Sequence, residues 1–211
     1  MRIAIIGTGM VGRALGTGLA QHGHEVVVGT RDPEQTRRRE AWAANPLTLM
    51  RFDEAVEGAD LIVNATSGAA TLDVLRDLGS ALAEKVLLDV SNPLDFSAGF
   101  PPTLTVKDTD SLAEQIQRAH PEARVVKGLN TLTADLMLNP GLLPEPTTVF
   151  VASDFPAARD VVVALLHEVG WEDVIDLGAL EAARGMEMWL PLWLRIMGAT
   201  GTGQFNLRIV R

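Results

Sequence analysis

The stretch Gly7-Thr8-Gly9-Met10-Val11-Gly12 constrains this chain more than any other. It follows a β-branched run, Arg2 to Ile6, and leads into an apolar-periodic segment. At such a junction each glycine has a separate task. Gly7 permits the tight turn, Gly9 leaves the backbone bare for a pyrophosphate, and Gly12 lets helix and strand pack closely. The helix that opens there directs free N–H groups and the positive end of its dipole at the same phosphates. The glycine pattern alone is a weak signal; its place between a first strand and a first helix points to a bound dinucleotide.

Beyond the turn, short β-branched runs alternate with helical patterns. Strands are expected over 2–6, 25–30, 61–65, 86–90, 124–128, 148–152 and 173–177, with a weaker one over 47–52. Helices are expected over 10–21, 71–83 and 156–169. This order predicts an α/β fold: a Rossmann-like, doubly wound, mostly parallel sheet with helices on both faces. After position 177 the pattern changes to "ALEAARGMEMWLPLWLRIMG" and a glycine-rich tail. The expected organisation is therefore a dinucleotide-binding domain over 1–177 and a short helical C-terminal extension over 178–211. The extension is expected to line an acceptor site or a subunit interface.

Composition narrows the partners. With 211 residues and 47% hydrophobic letters the chain can bury one core. A net charge of -9 without a basic stripe argues against nucleic acid and anionic membrane, and leaves a small molecule as the expected partner. There is no cysteine, and His22, His24, His120 and His167 lack ligand spacing, so no metal site is expected. His22 and His24 read as a solvated loop pair. The N-terminal apolar run is too short for a signal peptide and no stretch is long enough to span a bilayer, so a cytoplasmic protein is expected.

The end of the second strand decides which dinucleotide is bound. The segment "VVVGTRDPE" places Thr30 and Arg31 where many such folds carry an acid. An acid would hold a ribose 2′-hydroxyl and repel a 2′-phosphate. A hydroxyl and a guanidinium instead donate hydrogen bonds to that phosphate, which favours NADP. Asp32 could serve as the missing acid if the strand ran two residues further, but it precedes Pro33 and Glu34, which reads better as a helix cap followed by a first-turn proline. Arg37, Arg38 and Arg39 read mainly as a solvated helix face, with one of them turned to the cofactor.

In an open α/β sheet ligands gather at the carboxyl ends of the strands. Asn64-Ala65-Thr66-Ser67, Ser91-Asn92-Pro93 and Asn130-Thr131 follow three strands and supply small polar groups suited to a ribose, a carboxamide or an acceptor, or to turns and caps. No nucleophile–base arrangement and no general acid stands out, so no catalytic residue is assigned; this is compatible with hydride transfer, where the cofactor carries the chemistry, although a carbonyl substrate would want a proton donor and a flavin-like acceptor mainly a flat pocket. Met186, Met188, Trp189, Leu192, Trp193, Ile196 and Met197 cluster around Pro191, with Glu187 and Arg195 interrupting them. They suit a core or subunit-contact helix kinked or started at the proline. An apolar wall beside a nicotinamide is the other use, and a dimer interface accommodates both.

Together, "MRIAIIGTGMVGRALGTGLAQHGHEVVVGTRDPE", "VVKGLNTL" and "LPLWLRIMGATGTGQFNLRIV" resemble the NADPH-dependent reductases of the deazaflavin coenzyme F-420 (F420), over nearly the whole chain. The resemblance implies a Rossmann-like domain with a small C-terminal part, a homodimer, and a hydride passed between NADPH and a stacked deazaflavin. By position it implies Thr8, Met10 and Val11 at the pyrophosphate turn, Thr30 and Arg31 at the adenosine phosphate, and Ala65 and Thr66 near the central ribose. Asn130 would lie by the reacting rings. Asn130 stands where archaeal members carry a histidine, and Met188 and Leu190 stand where they carry hydroxyl residues. "GLNTL" is also similar to the reductase domains of membrane-bound metalloreductases, which use NADPH and a flavin.

The expected binding set is Gly7, Thr8, Gly9, Met10, Val11, Gly12, Thr30, Arg31, Ala65, Thr66, Ser91, Asn92 and Asn130. The expected cofactors are NADP with coenzyme F-420 or a flavin. Two other readings remain open: an NADPH-dependent reductase of flavins or small molecules, and a non-catalytic NADP-binding redox sensor.

Overall fold

Four consecutive residues of the first strand, β1 (Arg2–Ile6), are fully buried, as happens when helices cover both faces of a sheet. Its pleat divides the core: Ile3 and Ile5 join one hydrophobic layer, Ala4 and Ile6 the other. The computed structural model describes all 211 residues. The remaining strands are β2 (Glu25–Thr30), β3 (Thr48–Arg51), β4 (Leu61–Asn64), β5 (Val86–Asp89), β6 (Leu94–Asp95), β7 (Thr103–Leu104), β8 (Arg124–Gly128), β9 (Thr148–Ala152) and β10 (Asp173–Asp176). Eight of them form one sheet in the order β10-β9-β8-β5-β4-β1-β2-β3, and β6 and β7 form a separate antiparallel hairpin.

The helices are α1 (Met10–Gln21), α2 (Pro33–Arg37), α3 (Glu40–Ala43), α4 (Phe52–Val56), α5 (Gly68–Leu78), α6 (Leu112–Ala119), α7 (Ala134–Met137), α8 (Pro156–Glu168), α9 (Ala183–Met188) and α10 (Leu190–Thr200). Leu15 and Leu19 of α1 share one layer with Val162 and Leu165 of α8. Leu75 of α5 and Ile116 of α6 fill the other. No helix is long and apolar enough to cross a membrane.

Six strands run in one direction, while β9 and β10 run the other way. β8 pairs with β9 antiparallel, Gly128 opposite Val151, and β10 then pairs parallel with β9. The two connections differ in their regular structure. Between β8 and β9 the chain forms only the four-residue α7 and a short 3₁₀ turn and comes back antiparallel, whereas the 13-residue α8 returns the chain for a parallel pair.

Several boundaries differ from the sequence expectation. The helix expected over 71–83 starts earlier, at Gly68, and stops at Leu78, where Gly79 adopts a positive φ of 49° and a 3₁₀ turn follows. Pro191 stands in the first turn of α10, so the apolar run divides into two helices at Trp189. His24 is not a solvated loop residue. Its side chain is nearly buried, with Nδ1 3.5 Å from the N-terminal amine and Nε2 3.3 Å from Glu168.

Candidate functional site

The order of the sheet reverses beside β1: the chain steps outward through β2 and β3 on one side and resumes with β4 and β5 on the other. The carboxyl ends of these strands frame a crevice, the usual ligand position in such a sheet. At its floor the turn after β1 is held by close backbone contacts. Gly7 has φ 125°, and a Cβ there would stand 2.5 Å from the Ala65 carbonyl oxygen; one on Gly12 would stand 2.1 Å from the Gly7 carbonyl oxygen. Gly9 differs, since a Cβ on it would meet nothing within 4 Å. It is the N-cap of α1, no side chain caps that end, and no acid occupies the first turn. A bare, uncapped helix start opening onto free space is a cradle that fits phosphate oxygens.

One cavity, of about 440 Å³, runs from this turn to the end of β2 and includes Gly7, Thr8, Gly9, Thr30, Arg31, Gln35, Thr36, Arg39, Ala65 and Thr66. Thr30 is buried, and its Oγ1 lies 2.8 Å from Oγ1 of the equally buried Thr36. Arg31 is exposed and forms no ion pair. Asp32 accepts a hydrogen bond from Gln35 N at 2.8 Å and caps α2, as its place before Pro33 suggests. The three arginines that follow separate. The Arg37 guanidinium donates to the carbonyls of Trp42, Asn45 and Leu47, Arg38 lies 3.6 Å from Glu34 on the exposed face, and Arg39 reaches Thr8 Oγ1 at 3.2 Å.

A second cavity, of about 260 Å³, shares Ala65, Thr66 and Ser67 with the first, so the two form one cleft across β1 and β4. Val11, Val90, Leu94 and Phe96 give it apolar walls, and Ser91 and Asn92 polar edges. Gly68 closes one side; a Cβ there would come 2.0 Å from the Asn92 carbonyl oxygen, which ties the start of α5 to the turn after β5.

Beneath the second cavity lies a buried charge cluster that sequence reasoning missed. Lys127 Nζ is 2.8 Å from Asp89 Oδ2, 2.9 Å from Glu187 Oε1 and 2.6 Å from the Ser91 carbonyl, with no exposed surface. Asp89 Oδ1 accepts from Asn64 Nδ2 at 2.8 Å and from Ser91 Oγ at 2.7 Å, so the Ser91 hydroxyl is committed to the network. Glu187 accepts from Leu112 N at 2.8 Å and Ala113 N at 3.2 Å. Burial works against the Lys127 charge, but Asp89 and Glu187 outweigh it and raise its pKa. For Glu187 burial is the largest effect and raises its pKa, against the opposing pull of Lys127. The signal was present: a lysine within a β-branched strand flanked by buried positions requires a carboxylate partner, and Glu187 is an acid within an apolar run.

Not every expected residue reaches the cleft. Met10 is 70% exposed and faces a shallow depression beside Arg13 and Asn139. Gly12 lies beneath the turn. Asn130 is buried behind Asn92: its Nδ2 donates to Asn92 Oδ1 at 2.9 Å and to the Met186 carbonyl at 3.0 Å, and Asn92 Nδ2 returns a bond to the Asn130 carbonyl at 2.9 Å. Asn130 Oδ1 has no partner. Leu129, just before it, holds a positive φ of 58°, which turns the chain sharply off β8.

Comparison with known proteins adds the family. Residues 2–93 match the family model described as NADP oxidoreductase, coenzyme F420-dependent. The F420-dependent NADP reductase of Methanothermobacter thermautotrophicus is 30% identical over 93% of this chain and 89% of its own. Metalloreductase STEAP3 of Rattus norvegicus is 28% identical over 91% of this chain, which spans only 38% of that protein. A solved structure from Arthrobacter sp. FB24, provisionally described as an F420-dependent NADP-reductase, matches with a TM-score of 0.96 at 49% identity over the full length of both chains.

Proposed function

The chain belongs to the family of F420-dependent NADP oxidoreductases, and on that premise we propose that it transfers a hydride between NADPH and the deazaflavin coenzyme F420. The single observation that carries the reading is the cleft itself, which joins a phosphate cradle at Gly9 to an apolar chamber across the β1–β4 switch. NADP supplies the hydride chemistry; the chain binds, orients and excludes water. In this reading Gly7, Thr8, Gly9 and the start of α1 hold the pyrophosphate, with Gly12 keeping the turn closed. Thr30 and Arg31 take the adenosine phosphate, and Ala65 and Thr66 the central ribose. Val11, Ser91 and Asn92 border the ring site, with Asn130 supporting Asn92 from behind.

The extension over 178–211 closes the acceptor side. Leu94 of the hairpin packs on the cluster of Leu190, Trp193 and Leu194, which supports this role. Phe96, Phe100 and Leu192 remain more than half exposed, a pattern that suits a second copy of the chain. We infer a homodimer, and sedimentation or light scattering at micromolar concentration is expected to show twice the chain mass.

The testing experiment is anaerobic oxidation of NADPH by the purified protein with oxidised F420, beside FMN, FAD and NADH controls. Turnover with NADPH and F420 that exceeds all other pairs is expected. Turnover with flavins but not F420 would move the acceptor to the flavin class, and tight NADPH binding without any turnover would make the protein a sensor.

A further inference from the structure

We propose that Arg39 is a specificity-determining residue that binds the 2′-phosphate distinguishing NADP from NAD; the inference rests on the NADP reading above. The sequence offers three adjacent arginines, and the structure separates them. Arg37 is used up by three backbone carbonyls, and Arg38 lies outside, beside Glu34. Arg39 alone of the three lines the adenosine-side cavity, with Arg31.

Its placement is enforced by the fold. Arg39 is the N-cap of α3, and that short helix is pinned to the glycine turn by Trp42, whose buried indole Nε1 donates to the Thr8 carbonyl at 3.0 Å. The guanidinium thereby reaches Thr8 Oγ1 at the seam between the turn after β1 and the turn after β2. A 2′-phosphate on an adenosine bound at the end of β2 would lie in the cavity that this seam lines, since Thr8, Thr30, Arg31 and Arg39 all border it. Arg39 makes no ion pair, so its charge is not neutralised within the protein. Two acids of the same cavity are engaged elsewhere: Asp32 caps α2 and Asp73 holds Arg76 at 2.6 Å, while Asp77 faces from α5. Two guanidiniums without an acidic partner, Arg31 and Arg39, line this one cavity, and both can donate to a dianionic phosphate bound in it.

Direct binding of NADPH, NADH, 2′,5′-ADP and ADP to the full chain tests this, using wild type, Arg39→Ala and Arg39→Lys. The Arg39 side chain is exposed and donates only to Thr8, and its backbone bonds survive substitution, so both variants are expected to unfold at the wild-type temperature. Arg39→Ala should weaken NADPH and 2′,5′-ADP about tenfold while changing NADH and ADP less than about twofold, with partial recovery in Arg39→Lys. Equal loss for all four ligands would overturn the proposal and assign the side chain to the pyrophosphate. No loss for any would overturn it too. Wild type binding NADH as tightly as NADPH is a separate failure, of the NADP reading beneath it.

Discussion

At the scale of single residues, the largest energies lie with groups that have no alternative partner. Lys127 pairs with two buried carboxylates, and its removal leaves both without a cation. Lys127→Met is expected to cost about 3–5 kcal/mol in urea unfolding. Glu187→Gln should cost less, because Lys127 keeps Asp89 and the cluster loses a charge that burial disfavours, although the single amide oxygen can replace only one of the two carboxylate oxygens that accept from Leu112 N and Ala113 N. Equal losses in the two variants would show that the lysine is not the centre of the cluster. The glycine turn gives a second contrast. Gly12→Ala drives a Cβ into the Gly7 backbone and is expected to destabilise the fold together with cofactor binding. Gly9→Ala meets only open space, so the protein should fold normally while NADPH affinity falls; unchanged affinity would remove the phosphates from that face.

At the scale of elements, a short helix depends on its cap. The Asp32 carboxylate holds Gln35 N at the start of the five-residue α2, so Asp32→Ala is expected to lose about 1 kcal/mol of stability and Asp32→Ser to retain most of it. If NADH affinity dropped with either variant, Asp32 would be a ribose ligand and not only a cap. Asp32 was legible because its signals, the acid, the proline and the following acid, are local. So were β1, α1 and β2, whose bounds follow from runs of apolar residues with a single period. α3 was not legible. Four residues cannot sustain a helix alone, and this one exists because Trp42 docks on the Thr8 carbonyl, a contact between residues 34 apart in sequence. The reversed direction of β9 was equally hidden, since a buried strand reads the same in either sense. In the site, the glycines and Arg31 were legible from spacing. Asn130 was legible as polar and past a strand, but its burial behind Asn92 depends on the left-handed turn at Leu129 and on α9 arriving from 56 residues away.

At the scale of the whole molecule, ion pairs add to the apolar cluster and backbone bonds that fasten the C-terminal extension, and their share of its attachment is sensitive to acid. Arg184 of α9 grips Glu114 of α6 at 2.6 Å, and Arg211 of the tail meets Asp173 of β10 at 2.8 Å. Near these contacts, Arg118 holds the Asp110 carboxyl down at about 2. A hydrogen bond from Thr148, then Arg211, lowers Asp173. Burial opposes the lowering of Glu114, but Arg184 and Ser111 prevail. A carboxylate with a depressed folded pKa contributes stability above its ordinary titration range and loses it as pH falls toward the folded value. Raised groups act in the opposite sense: Glu187 favours the folded state most at low pH, and Lys127 keeps its charge until well into alkaline conditions. With Asp95, which hydrogen bonds from Ser97 lower, four depressed carboxylates outnumber the one raised. The urea midpoint, at fixed ionic strength, is therefore expected to be level near neutrality and to fall as pH drops from about 5 toward about 2. Asp110→Asn should lower the neutral plateau and flatten that acid limb, whereas a midpoint that rises on acidification would assign the control to Glu187. Limited proteolysis across the same range should release the tail beyond α10 before the sheet opens, because the Arg211–Asp173 bridge is more exposed than the buried lysine cluster that holds α9.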